Sequence, residues 1–123
     1  MPPITDPVVI AVVRQVQREL TPENYDQRQW CGTACCIAGH IERVARQVCP
    51  DRLVGDTHCE RAAEVLGIDA DLADGNLFDA SPYLSWPAPF SDDWDDTMDQ
   101  FDRDEWRVAI ARRRLDYFLE TGE

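Results

Sequence analysis

Apolar residues recur at helical spacing along most of the chain, and no stretch alternates with period two. Val8, Val9, Val12, Val13, Val16 and Leu20 fall on one broad face, the pattern of an amphipathic helix. Thr5 or Asp6 stands where a cap is needed, Pro7 suits a first turn, and Thr21-Pro22 ends the run. A second helix is predicted over residues 33 to about 48. Thr33 is its cap, and Gly32 allows a sharp turn before it. Ile37, Ile41, Val44 and Val48 form its buried stripe, with Ala34, Ala38 and Ala45 alongside, and Cys49-Pro50 closes it. A third helix, over residues 58 to 66, takes Asp56 or Thr57 as its cap and Gly67 as its stop. Cys59, Ala62, Ala63 and Leu66 share its apolar face.

Beyond Gly67 the pattern shortens. Residues 70 to 78 predict one or two helical turns around Leu72, Leu77 and Phe78, and three prolines make 81 to 89 a loop. Residues 91 to 101 read as a short amphipathic helix, with Trp94, Met98 and Phe101 inward and Asp92, Asp96 and Asp99 outward. A last helix is expected over about 103 to 119, capped by Asp102. It carries one stripe of Val108, Ala111, Leu115 and Phe118 and a second of Trp106, Ile110 and Tyr117. Two stripes imply packing on two sides. The expectation is an all-α fold, one small domain of four or five helices over residues 1–123.

Composition narrows the function classes. With 44% hydrophobic residues the chain is no disordered tail. The apolar run at residues 8–13 is too short to cross a bilayer and lacks a basic flank, so neither membrane insertion nor a signal peptide is expected. A cytoplasmic location follows, with the five cysteines mostly reduced. The net charge is −12, and residues 69 to 105 hold twelve acids against Arg103 alone. A protein that binds nucleic acid directly would carry the opposite sign. Every basic residue is arginine, a bias that fits a GC-rich genome.

Residues 30 to 40, WCGTACCIAGH, concentrate the reactive side chains. Cys31 precedes a predicted helix start, where the dipole lowers a thiol pKa. A cysteine nucleophile also needs a histidine base, and the chain has only His40 and His58, with no strand to carry a partner. A small buried thiol in a tight turn is the favoured reading of Cys31. For a metal, Cys36 and His40 lie four apart and share a helix face, while Cys31, Cys49, His58 and Cys59 supply further donors. The close Cys-x-x-Cys pair usual for zinc is missing, and Cys59 sits among alanines. No metal or other cofactor is therefore expected, with zinc as the alternative. Cys35 and Cys36 are neighbours that diverge by about 100° on a helix, which disfavours a disulfide.

The acidic run SDDWDDTMDQFDRDEW is not a calcium loop, because Met98 occupies the place that needs glycine. Its carboxylates, Asp92, Asp93, Asp95, Asp96, Asp99 and Asp102, are the candidate partner-binding residues. They suit a basic protein surface, including one that ordinarily meets phosphates.

The motif itself resembles one found in a group of small, uncharacterised bacterial and phage proteins, of the form W-x-C-G-T-x-x-C-x-x-G-[HW]. The matching residues are Trp30, Cys31, Gly32, Thr33, Cys36, Gly39 and His40. Ala62-Ala63, Leu66-Gly67-Ile68, Leu77-Phe78 and Trp86-Pro87 extend the likeness over residues 25 to 90. The resemblance implies no activity, and the variability of the Cys35 position in that group makes it the least promising thiol. The expectation for function is a non-catalytic acidic protein-binding module, a bacterial or phage-type regulator or inhibitor with a basic protein as partner. The alternative is a thiol- or zinc-dependent site centred on Cys31, Cys36 and His40.

Overall fold

Asp6 begins the first helix by accepting the Val8 N–H at 2.9 Å, with Pro7 in the first turn, and α1 runs over Pro7–Glu19. Val9, Val12, Val13 and Val16 are buried, as is Leu20 at its end. The computed structural model describes residues 3–25, 36–74, 76–78, 86–88, 90–96 and 103–123, with 74, 95, 96, 103 and 104 as main chain only. Among these the chain is all-α with no β-strand. The other helices are α2 (Ile37–Val48), α3 (His58–Leu66), α4 (Ala70–Asp74), α5 (Phe90–Asp96) and α6 (Arg103–Thr121). A 3-10 turn, Pro50–Arg52, follows α2.

Thr57 caps α3 by accepting the Glu60 N–H, and Gly67 ends it with φ +71°, a left-handed conformation that favours glycine. The second helix starts later than its pattern suggests. Its N-cap is Cys36, not Thr33, and the Cys36 side chain makes no capping bond. Extended main chain at Cys36, ψ 179°, sets the boundary there.

Packing order differs from chain order. α2 lies against both α1 and α3, α4 extends from α3, and α1 and α5 both pack on α6. Ala38 and Ala45 of α2 and Ala62 and Ala63 of α3 are all buried; residues this small let two helices approach closely. Polar groups tie α1 to α6. Gln17 Nε2 donates to the Arg112 carbonyl at 2.8 Å and to Asp116 at 2.9 Å. Arg112 returns two bonds to the Gln17 and Leu20 carbonyls, at 2.9 and 2.7 Å. It thereby satisfies acceptors that the end of α1 leaves open.

Three predicted core positions are corrected. Val48 is 52% exposed, because it is the last residue of α2, where the chain turns away into Cys49 and Pro50. Leu72 is 76% exposed, because α4 is one short turn that presents Ala73 inward instead. Trp106 is 48% exposed near the start of α6, while Ile110 of the same stripe is fully buried. The first α6 stripe, Val108, Ala111, Leu115 and Phe118, is buried throughout. The expected contacts of Met98 and Phe101 and the Asp102 cap lie outside the described residues.

Between α2 and α3 stands a buried charge cluster. Glu42, 2% exposed, takes Arg61 Nε at 2.6 Å and His58 Nδ1 at 2.6 Å. A carboxylate only accepts, so His58 Nδ1 carries the hydrogen. Arg61 Nη2, 3.2 Å from that nitrogen, is then a close neighbour rather than its donor. Breaking a buried pair leaves one charge desolvated and unmatched. Arg61→Ala is expected to lower unfolding stability by about 3 kcal/mol. Arg14→Ala, in the exposed pair with Asp116, should cost at most about 1 kcal/mol. Urea unfolding of the two variants checks the contrast; equal losses would show that Glu42 is not buried as a paired charge.

Candidate functional site

The reactive motif enters the described structure at Cys36. Cys31 and Cys35, with Trp30, Gly32 and Thr33, lie outside the described residues. Cys36 is 2% exposed and His40 is fully buried. Both are in the core. His40 Nε2 lies 2.8 Å from the Asn24 carbonyl. A carbonyl cannot donate, so Nε2 holds the hydrogen and Nδ1 carries a lone pair. That Nδ1 has no hydrogen-bond partner among the described residues. Burial pushes the His40 pKa below 6.5, and the Arg43 charge acts in the same direction. The Asn24 carbonyl and Glu19 oppose this and do not cancel it. At neutral pH His40 is a neutral imidazole with a basic nitrogen facing the interior.

The remaining described cysteines sit elsewhere. Cys49 is the half-buried C-cap of α2, and burial raises its thiol pKa. Cys59, also half-buried, donates its S–H to the Ala70 carbonyl at 3.3 Å. None of Cys36, Cys49 and Cys59 is in a disulfide. Among the described residues no three histidine, cysteine or acidic side chains converge as a metal ion requires. Cys59 lines an open cavity of about 550 Å³ with His58, Arg61, Asp56, Glu60 and Asp71.

The acidic candidates ride on α5. Phe90 and Trp94 are buried at 8% and 6% exposure. Trp94 meets Trp86 edge-on at 5.4 Å and Tyr25 at 6.3 Å. The Arg107 guanidinium stands 5.1 Å from its ring, a cation–π arrangement. Asp92 is exposed. Asp93 accepts Arg113 Nη2 at 2.8 Å, so it is partly matched within the chain. The side chains of Asp95 and Asp96 and all of Asp99 and Asp102 lie outside the described residues.

Two features escaped the sequence reading. Glu42 lies outside the predicted apolar stripe of α2, yet it is buried. The available signal was its setting: alanines four before and three after it let α3 close over that face. Arg114 was not singled out at all and is fully buried. It lies four residues after Ile110 and three before Tyr117, so it continues the second stripe of α6. Comparison with protein-family models, curated protein sequences and solved structures finds no match to this chain.

His40 makes stability depend on pH in a defined window. Its folded pKa is below 6.5, so above that pH it is neutral in both states and its full contribution is present. As pH falls below 6.5 the unfolded chain takes a proton that the folded chain resists, and stability drops. Asp6 and Asp116 have carboxyl pKa values held below 3.8 and act only at lower pH. Unfolding free energy is expected to fall between pH 7 and 5, by at most about 1.4 kcal/mol per pH unit from this group. His40→Gln should flatten that slope in urea titrations, with His58 common to both proteins. Parallel slopes would show that His40 is protonated in the fold.

Proposed function

We propose that the chain is a non-catalytic protein-binding module, of a bacterial or phage regulator or inhibitor type, that docks a basic surface through α5 and the acidic segment after it. The observation that carries this reading is the anchoring of Asp92 on a helix whose Trp94 is packed against Trp86 and Tyr25. A carboxylate held by a buried tryptophan loses less freedom on binding than one on a loose tail. Asp93 fits the same role. Its pair with Arg113 is nearly half exposed on the arginine side, and such surface pairs are worth at most about 1 kcal/mol. A partner's arginine can replace Arg113 at little cost. Of the chain's net charge of −12, a net −11 lies in residues 69 to 105 (twelve acids and Arg103), and it would draw a basic partner over distances of a Debye length, about 8 Å at physiological salt.

The test compares wild type with a triple variant, Asp92→Asn, Asp96→Asn and Asp99→Asn, as immobilised bait in lysate of the source cell. Wild type is expected to retain a basic protein whose capture weakens as salt rises, and the variant to lose it. Recovery of the same proteins with the same salt sensitivity would reduce the acidic face to a solubility surface. Capture of a nucleic-acid-binding protein by wild type alone would make the face a mimic of phosphates.

A second reading, a thiol- or zinc-dependent site at Cys31, Cys36 and His40, draws on one observation, the Nδ1 of buried His40, which has no hydrogen-bond partner among the described residues. Neutral imidazole and thiolate are the ligands zinc prefers. Elemental analysis after one equivalent of zinc and gel filtration tests it. The expected result is no retained zinc and an unchanged helical circular dichroism signal in excess chelator. Stoichiometric zinc, lost in Cys36→Ser and His40→Gln, would put the site ahead of the docking surface.

A further inference from the structure

A groove of about 580 Å³ runs between α4 and the end of α6. Its apolar walls differ in depth. Leu77 and Phe118 are almost fully buried and lie at its bottom, Ile68 is half-buried, and Leu72 stands exposed at its side. A ligand that covers Leu72 removes apolar surface from water, which favours binding. A cleft of this size, mainly apolar with a few polar groups, is the usual form of a small-molecule site.

The charged residues that line the groove are two acids, Asp69 and Glu123, with no basic side chain among the described lining. Both are exposed. Asp6, Glu42, Asp93 and Asp116 each meet an arginine within the chain. Asp69 and Glu123 have no ion pair among the described residues. The Asp69 carboxylate is also held in place. Its Oδ1 accepts the Asp71 and Leu72 N–H groups at 2.9 and 3.1 Å, and no described residue bonds to Oδ2. Arg114 lies behind the wall and not in it. It is fully buried, and its Nη2 donates to the Asn76 side-chain oxygen and the Glu123 main-chain oxygen. It steadies that wall and offsets part of the Glu123 charge, so Asp69 is the stronger site for a cation.

We propose that the groove binds a small amphipathic monocation, an alkylammonium, with the ammonium on Asp69 and the hydrocarbon chain against Leu72 and down toward Leu77 and Phe118. Charge and shape both select this class. An anion would be repelled by both acids and by the net −11 of residues 69 to 105. An ammonium without a chain leaves the apolar walls uncovered. A divalent metal needs several converging ligands, and no three such side chains converge among the described residues. No residue of α5 is among the described lining of the groove, so this site is tested separately from the docking surface proposed for α5.

Isothermal titration of the full chain at neutral pH and low salt, with octylamine, octanol, octanoate and ethylamine, tests the assignment. Octylamine, protonated at this pH as a lysine is, is expected to bind saturably at one site. Octanol should bind about five-fold more weakly, the factor of one partly exposed ion pair, and octanoate and ethylamine not measurably. Asp69→Asn keeps the Oδ1 acceptor for the α4 N–H groups and removes the charge, so it should bring octylamine down to the level of octanol and leave octanol unchanged. Leu72→Gln, at an exposed position, should weaken octylamine and octanol alike by several-fold. In the wild type the methyl resonances of Ile68, Leu72 and Leu77 should shift together with the titration. Absence of saturable octylamine binding at low millimolar concentration, equal binding of octanol or octanoate, or indifference to Asp69→Asn would overturn the proposal. Octylamine bound at many sites without methyl shifts in the groove would reduce the effect to the acidity of the whole surface. Tighter binding of a lysine-leucine-lysine tripeptide than of octylamine would replace the small molecule with a basic peptide.

Discussion

A helix buried on most of its circumference must satisfy nearly every polar group it carries, and α2 is such a helix. Eight of its twelve residues are buried, His40 and Glu42 among them. The fold is arranged around meeting those two. His40 donates to the Asn24 carbonyl in the turn after α1, while Glu42 collects Arg61 and His58 from α3. Each contact ties α2 to a different neighbour, so the polar groups add geometry to an interface that apolar area alone would leave free to slide. The small residues are part of the same constraint. Ala38, Ala45, Ala62 and Ala63 bring α2 and α3 close enough for a carboxylate to reach across. A glutamate among bulkier neighbours would have had water as its partner.

The consecutive arginines of α6 show how one helix divides a single chemistry among several environments. Successive residues turn by about 100°. Arg112 therefore faces α1 and binds the Gln17 and Leu20 carbonyls. Arg113 faces α5 and meets Asp93. Arg114 points between Trp86 and Tyr117, away from water. The first two offset helix-end carbonyls and surface acids, which arginine does at little cost. The third pairs with no side-chain acid among the described residues and donates instead to the Asn76 side-chain oxygen and the Glu123 main-chain oxygen.

The comparison of α3 with α2 separates what was legible from what was not. α3 was legible to the residue, because Thr57 and Gly67 act through their own main chain and need no neighbour. The α2 start was misread for the same reason reversed: Thr33 is a good cap by type, but the helix begins where the chain leaves an extended conformation at Cys36. Trp94 and Asp92 fell on the expected sides of α5, since a tryptophan beside four acids can be buried in only one direction. Leu72 and Trp106 failed because an apolar side chain in a short or terminal turn is buried only if another element reaches it.

By itself, then, the sequence determined the helices, the valine face of α1, the first stripe of α6 and the acidic character of residues 69 to 105. All of these follow from spacing and charge along one segment. Only the tertiary structure decided which polar groups lie inside. Burial of Glu42, His40 and Arg114 depends on what the facing helix presents, at distances of tens of residues along the chain. The pairing of Glu42 with Arg61, nineteen residues apart, is visible only once α2 and α3 have met. The same holds for the nitrogens of His40 and Arg114 that have no partner among the described residues, because a hydrogen bond is a property of two groups, and periodicity describes one segment at a time.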